Sequence, residues 1–371
     1  MRGRRRLAAI GLVTLALAVA GAWLAGCSDD DDKVSGPSGE PEPVYDLYVD
    51  VTTGSDGYSG SRDSCFKTIT HALSVAQPGD SIKVRPGTYN AASGETFPIT
   101  IPDSITLIGD VVNRGVGDDT VRIDGVGDYD GTNWATLVAG DSSVITGFFI
   151  RQPSTALTRY GIVSEDATCT VIANTFRSEY GCIRLLGSGD PVISDNTLSS
   201  SYYGVYSNCT GVALIRDNEF IDGSYIENVT GDANIIHNAF SGNAHRAISS
   251  NNHSAFIDSN VIVGSYVYAA LRLMSGATPT VRNTSITANA GYCVQILGNA
   301  NPDLGTAGEP GGNTFAAGGG PCVYSESVAM VSALGNTWPN MPPVCGTDIE
   351  VSGAGSVAFG PGAADTCEAP K

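Results

Sequence analysis

Val171-Ile172-Ala173-Asn174-Thr175-Phe176 is followed by Ile193-Ser194-Asp195-Asn196-Thr197-Leu198, Ile215-Arg216-Asp217-Asn218-Glu219-Phe220, Ile235-Ile236-His237-Asn238-Ala239-Phe240 and Ile257-Asp258-Ser259-Asn260-Val261-Ile262. Each unit sets an apolar residue, two variable positions, Asn, one further position and a second apolar residue. The asparagines stand 22, 22, 20 and 22 residues apart. Turn preference explains an Asn in any one unit but not the even spacing. A period near 22 with three short β-like runs per unit is what one turn of a parallel β-helix requires, because each coil buries its inward side chains against the coils on either side. An Asn at one fixed offset has a physical role in such a stack. Its amide donates to and accepts from the same amide one coil on, about 4.8 Å away, so the buried polar groups of the turn pair down the column. Later members are weaker: Asn283 lacks the apolar residue two places on, and Asn313-Thr314-Phe315 and Asn336-Thr337-Trp338 flank or follow a Gly-rich insertion near 302–312. Counted from Ile82, the chain supplies about eleven coils.

Composition agrees with an all-β chain. Of 371 residues, 46 are Gly, only 16% are charged and 42% are hydrophobic, enough apolar surface to offset the entropy of ordering a fold. Few stretches carry the Glu/Lys/Leu/Ala mixture that long helices favour. The net charge of −18, with no basic cluster beyond the first six residues, excludes nucleic acid as a partner.

Met1 to Arg6 is cationic and Leu7 to Trp23 is apolar, the plan of an export signal. Leu24-Ala25-Gly26-Cys27 resembles the lipobox of bacterial lipoproteins, which implies acylation of Cys27 and a protein held by its lipid anchor at the cell envelope, at the outer membrane or the cell surface. Four of the 20 cations precede Cys27, so the mature chain carries 16 cations against 38 acids. The expected organisation is a signal peptide over 1–26, an acidic Ser/Gly/Pro tether over 27–45, an amino-terminal cap and first coils over 46–112, repeats over 113–340 and a carboxy-terminal cap or tail over 341–371.

Within the cap, Phe66, Ile69, Leu73 and Ala76 share one helical face, with Asp63 or Ser64 as N-cap and Pro78-Gly79-Asp80 as the stop. Ile82-Lys83-Val84 alternates as a strand, and Pro86-Gly87-Thr88-Tyr89 turns the chain. The Gly54-Ser55-Asp56 turn, Phe66-Lys67-Thr68-Ile69, Ala72-Leu73, Gly79-Asp80, Pro86-Gly87-Thr88-Tyr89, Phe97-Pro98-Ile99 and Leu107-Ile108-Gly109 resemble an uncharacterised family at the amino-terminal end of right-handed parallel β-helices of the pectin-lyase-like kind. Cys65 departs from it, standing where such sequences place Pro. The resemblance implies the right-handed fold and leaves the chemistry open.

Eight cysteines remain beyond Cys27, and an exported protein permits disulfides among them. Cys293, Cys322 and Cys345 fall 10, 9 and 9 residues after the Asn of their coil, which favours a Cys322–Cys345 bridge between stacked coils.

Repetition also lines up side chains that carry chemistry. Tyr180, Tyr202, Tyr203, Tyr225 and Tyr266 fall six or seven residues after successive ladder asparagines, and His245 takes the same offset. Such a column is suited to stacking on sugar rings, with Arg184, Arg246 and Arg272 nearby to pair with anionic groups; strand propensity or an internal aromatic stack is the plainer account. Asp195 and Asp217, one coil apart with Glu219 beside them, are the candidate catalytic carboxylates, though Asp before Asn also suits a turn. Asp50 and Asp56 bracket a turn that has the acids for calcium, the one cofactor the sequence suggests. The four lysines all lie outside the central coils, and the Gly-His-Gly element of polygalacturonase-like hydrolases is absent. The expected function is therefore binding of extracellular polysaccharide along one face. A polysaccharide lyase or glycoside hydrolase, and a structural or adhesive surface module, are the alternatives.

Overall fold

The computed structural model describes residues 43–152, 158–362 and 364–370. The signal peptide, Cys27 and most of the tether lie outside these residues. From Val44 onward the chain is an all-β solenoid of about 12 turns with one α-helix. Among the described residues no helix is long and apolar enough to cross a membrane.

Each central coil is built alike. A three-residue strand leads to a sharp turn, a second strand of three or four residues follows, and a longer third strand completes the circuit. The first strands form a ten-stranded parallel sheet from Leu47–Val49 to Thr280–Arg282. In it Ile82, Leu107, Ile145, Val171, Ile193, Ile215, Ile235, Ile257 and Val281 lie one above the next, all fully buried. The second strands stack Ile150, Phe176, Leu198, Phe220 and Phe240, and the third stack Ile162, Ile183, Val205, Ile226 and Ile248. Parallel in-register pairing repeats one inward residue type per coil, and the alternation of strands sends the neighbours outward.

The turn between first and second strands holds the ladder. Asn174, Asn196, Asn218 and Asn238 each donate from Nδ2 to Oδ1 of the next, over 3.2, 3.0, 3.0 and 3.1 Å, ending on Asn260. The same Oδ1 atoms accept the backbone N–H of the preceding asparagine. A second amide hydrogen reaches carbonyls, for Asn218 those of Ile193 and Arg216 at 2.9 Å. The residue before each ladder position is left-handed: Gly147, Ala173, Asp195, Asp217, His237, Ser259 and Asn283 have φ between 48° and 82°. Asn283 is thus not a rung. Thr284 occupies that place, its Oγ1 donating to the Arg282 carbonyl and accepting weakly from Asn260 N, and Ile286 is its buried apolar partner. The ladder resumes at Asn313 and Asn336.

Both ends differ from expectation in detail. Leu47–Val49 already pairs with Ser81–Val84, so a rung precedes Ile82 and the coil count rises above eleven. The helix is Ile69–Val75, and its N-cap is Thr68 rather than Asp63 or Ser64, because Thr68 Oγ1 accepts from His71 N at 3.1 Å. Buried Glu95 adds a second cap, accepting from Ile69 N at 2.7 Å and Thr70 N at 3.0 Å. Gly87–Tyr89, read as a turn, pairs as a strand with Val121–Asp124. At the other end, Ile349–Val351 continues the parallel stack and Thr366–Glu368 runs antiparallel to Ser356–Ala358.

The cysteine pairing is corrected. Cys345 bonds Cys367, with Cα atoms 5.5 Å apart, because the antiparallel terminal strand returns Cys367 to the last coil. Cys322 instead lies one coil from Cys293, both fully buried in the stack, since Val294 and Val323 are paired.

Asn218→Ala should lower stability by roughly 2–5 kcal/mol, because it orphans donors and acceptors on both neighbouring coils. Thr284→Asn should raise it by about 1 kcal/mol by completing the column. Thermal and denaturant melts check both; equal effects of Asn218→Ala and a surface Asn substitution would contradict the ladder's role. Breaking Cys345–Cys367, a bridge spanning 22 residues, should remove roughly 3 kcal/mol, and a non-reducing digest should yield that cross-linked peptide pair.

Candidate functional site

The third strands place the predicted flank. Tyr160, Gly181, Tyr203 and Tyr225 are paired in one column, and Val163, Arg184, Tyr206, Glu227, Ser249 and Arg272 form a second. Tyr180 and Tyr202 precede these strands and stack on one another at 6.0 Å and 18°. His245 reaches Tyr202 at 6.2 Å and Tyr268 at 6.0 Å. Tyr202 and Tyr268 are the open members, 44% and 43% exposed. Guanidiniums cover ring faces: Arg184 lies over Tyr160 at 5.4 Å, Arg246 over Tyr225 at 5.0 Å and Arg272 over Tyr268 at 4.9 Å. Ring faces along the row therefore meet other rings and arginines. The expectation of open faces is changed accordingly. Tyr266 leaves the row altogether; it is buried in the main core, and Tyr268, two residues on within the corner where the pairing register shifts between Ser265 and Ala269, takes its place.

The electrostatics of the row follow from burial. Burial pushes the phenols of Tyr160 and Tyr225 well above the ordinary value, with Tyr180 and Tyr203 adding to the effect and Arg184 and Arg246 opposing it. Tyr203 moves the same way, again chiefly through burial. Glu227, within the row and buried, faces Arg246 at 3.4 Å and accepts from Ser249 Oγ at 3.0 Å and Asn251 Nδ2 at 2.9 Å. Asp130 borders it, 3.7 Å from Arg184. Its carboxyl falls to about 2 because bonds from Thr132 and Asn133 outweigh the opposing effect of desolvation.

The candidate carboxylates serve the turn. Asp195 and Asp217 occupy left-handed positions one coil apart. Asp195 pairs with Arg114, while Asp217 meets Arg216 at 2.7 Å and His237 at 3.7 Å. Glu219 is exposed on the next strand. Asp50 and Asp56 do not converge on a common point. Asp50 accepts from Thr52 N, Thr53 N and Thr53 Oγ1, and Asp56 from Lys67 N, Thr68 N and Thr68 Oγ1. Among the described residues no cluster of three or more His, Cys, Asp or Glu is placed to hold a metal.

A cleft of about 750 Å³ lies on the outer side of the second strands, lined by Arg122, Phe149, Arg151, Gln152, Arg177, Ser178, Glu179, Ser199, Ser200, Ser201 and Asp222. It adjoins the tyrosine row, because Glu179 and Ser201 immediately precede Tyr180 and Tyr202. Arg151 and Arg177 are paired residues of adjacent coils. Both fall three places after a ladder position, Phe148 and Asn174. That offset is outward, and reading it alongside the offsets of six and seven would have found the pair from sequence.

Residues 52–231 match the family model described as "Protein of unknown function (DUF1565)", and residues 161–306 match "Right handed beta helix region". No curated protein matches the chain. Among solved structures, it is similar to the complex of XylC with xylose, at 10% identity over 78% of this chain and 69% of that one with a TM-score of 0.44. It is also similar to the GH136 lacto-N-biosidase from Eubacterium ramulus, at 11% identity over 84% and 68% with a TM-score of 0.35.

A phenol whose pKa is raised on folding contributes stability that is fully present below its unfolded value of about 10 and is lost as pH climbs through the folded value. Alkaline titration followed by tyrosinate absorbance and circular dichroism should show Tyr160 and Tyr225 ionising together with loss of the fold. Tyr225→Phe should move the alkaline unfolding midpoint upward. Complete tyrosinate formation with the β-signal intact would contradict the burial of these phenols.

Proposed function

We propose that this chain, a right-handed β-helix protein of an uncharacterised pectin-lyase-like family, binds extracellular polysaccharide along the side that carries the tyrosine row, while lipid on Cys27 holds it at the cell envelope. The observation that carries the reading is the continuous strip of Tyr180, Tyr202, His245 and Tyr268, flanked by the guanidiniums of Arg246 and Arg272. Aromatic rings and N–H groups at coil spacing suit a ligand that is itself a repeating polar chain. Arginines already braced on ring faces lose little side-chain freedom when such a ligand binds.

The soluble fragment from Val44 onward, tested on a glycan array, should bind a subset of polysaccharides. Tyr202→Ala combined with Tyr268→Ala should weaken that binding roughly tenfold, as expected for two lost contacts of about 0.7 kcal/mol each. Absence of binding to every glycan would sink the reading. In the full chain, Cys27→Ser should move the protein from the membrane fraction to the soluble one.

A further inference from the structure

The geometry points to the cleft between Arg151 and Arg177 as a subsite for a tetrahedral oxyanion, a sulfate or phosphate ester borne by the bound glycan. This rests on the glycan-binding reading and specifies the ligand's charge.

The chain is acidic, with 38 carboxylates against 20 cations, and its other arginines show how such a chain disposes of positive charge. Arg85, Arg114, Arg122, Arg184, Arg216, Arg246 and Arg282 each face a carboxylate within 4 Å. Arg272 has no carboxylate either but lies over the Tyr268 ring at 4.9 Å, whereas among the described residues Arg151 and Arg177 have neither, although they stand on adjacent coils and repel one another. The carboxylates that line the same cleft are directed elsewhere. Glu179 is paired with buried Arg159, and Asp222 accepts from Ser199 Oγ at 2.7 Å, two coils along from Arg177. Buried Gln152 accepts from Ser178 Oγ at 2.6 Å through its oxygen, which leaves its N–H donors for the cleft. The lining thus offers two guanidinium forks, an amide and serine hydroxyls around about 750 Å³.

The number of donors selects the anion. A carboxylate presents two oxygens in one plane and is satisfied by a single fork. Two forks at neighbouring coils call for a group with three terminal oxygens that it shares between them, as a sulfate or phosphate monoester does. An anion there also turns the mutual repulsion of the two arginines into attraction.

The test uses the fragment from Val44 onward, with dextran, dextran sulfate, dextran phosphate and oligogalacturonate of matched length, titrated calorimetrically at two salt concentrations. The inference expects dextran sulfate or dextran phosphate to bind at least tenfold tighter than both dextran and oligogalacturonate, and the preferred ester names the source. Arg151→Gln with Arg177→Gln should abolish that preference and reduce the salt dependence. The single variant Arg177→Gln, at an exposed position, should weaken ester binding by several-fold if the double variant fails to fold. Equal affinity of the wild type for all four chains, or an ester preference that survives loss of both arginines, overturns the inference. Tyr202→Ala with Tyr268→Ala keeps the two claims apart. If that variant binds esters like the wild type while the arginine variant does not, the subsite stands and the tyrosine strip falls.

Discussion

The amide column at the turn is the interaction on which the solenoid depends. Every coil must reverse direction over a few residues in the interior, where a backbone N–H or carbonyl without a partner is expensive. Asn solves this because one side chain carries two donors and an acceptor. From Asn196 to Asn260 each amide closes its own turn, reaches a carbonyl of the coil before, and offers its oxygen to the preceding asparagine's side-chain amide and backbone N–H. The bonds fix the axial step, and the fixed step puts Ile over Ile and Phe over Phe. The left-handed residue before each Asn is part of the same device, for it turns the side chain inward.

What sequence revealed and what it hid follow from the same regularity. The five strict units gave the coil, its interior and the column. Where spacing stretches to 24 residues between Asn260 and Thr284 and to 29 before Asn313, the frame slipped by one position at Asn283, because Thr284 takes the Asn's place while retaining only part of its bonding. Tyr266 was misread for a related reason: the 14-residue strand Val261–Met274 crosses a corner without a break, so a fixed offset from Asn260 lands on its inward side. The bond from Cys345 depends on an antiparallel return that no coil period encodes. The arginine cleft obeys the repeat as well as the tyrosines do, but only Arg151 and Arg177 carry it, so two coils give no column for a period to reveal.

Charge is distributed with the same economy of position. Ion pairs brace the outside of the coils at Arg122–Asp124, Arg246–Glu227 and Arg282–Asp303, and guanidiniums lie flat on tyrosine rings along the third strands. A strongly acidic chain that pairs most of its described arginines with its own carboxylates keeps its field negative toward solvent. Any positive feature left open is then small and local, and stands out against that field.

A stack that grows by laying identical edges on one another has no inherent length, and another molecule's first rung would fit on its last as well as its own next coil would. Thr366–Glu368 settles the matter by crossing the final edge in the opposite sense, three residues long, with Pro370 close behind and Cys367 fastened to Cys345. The covalent fastening thus holds the antiparallel cover in place over Ser356–Ala358. Reduction of that bond would loosen the antiparallel cover and leave a strand edge open to pairing.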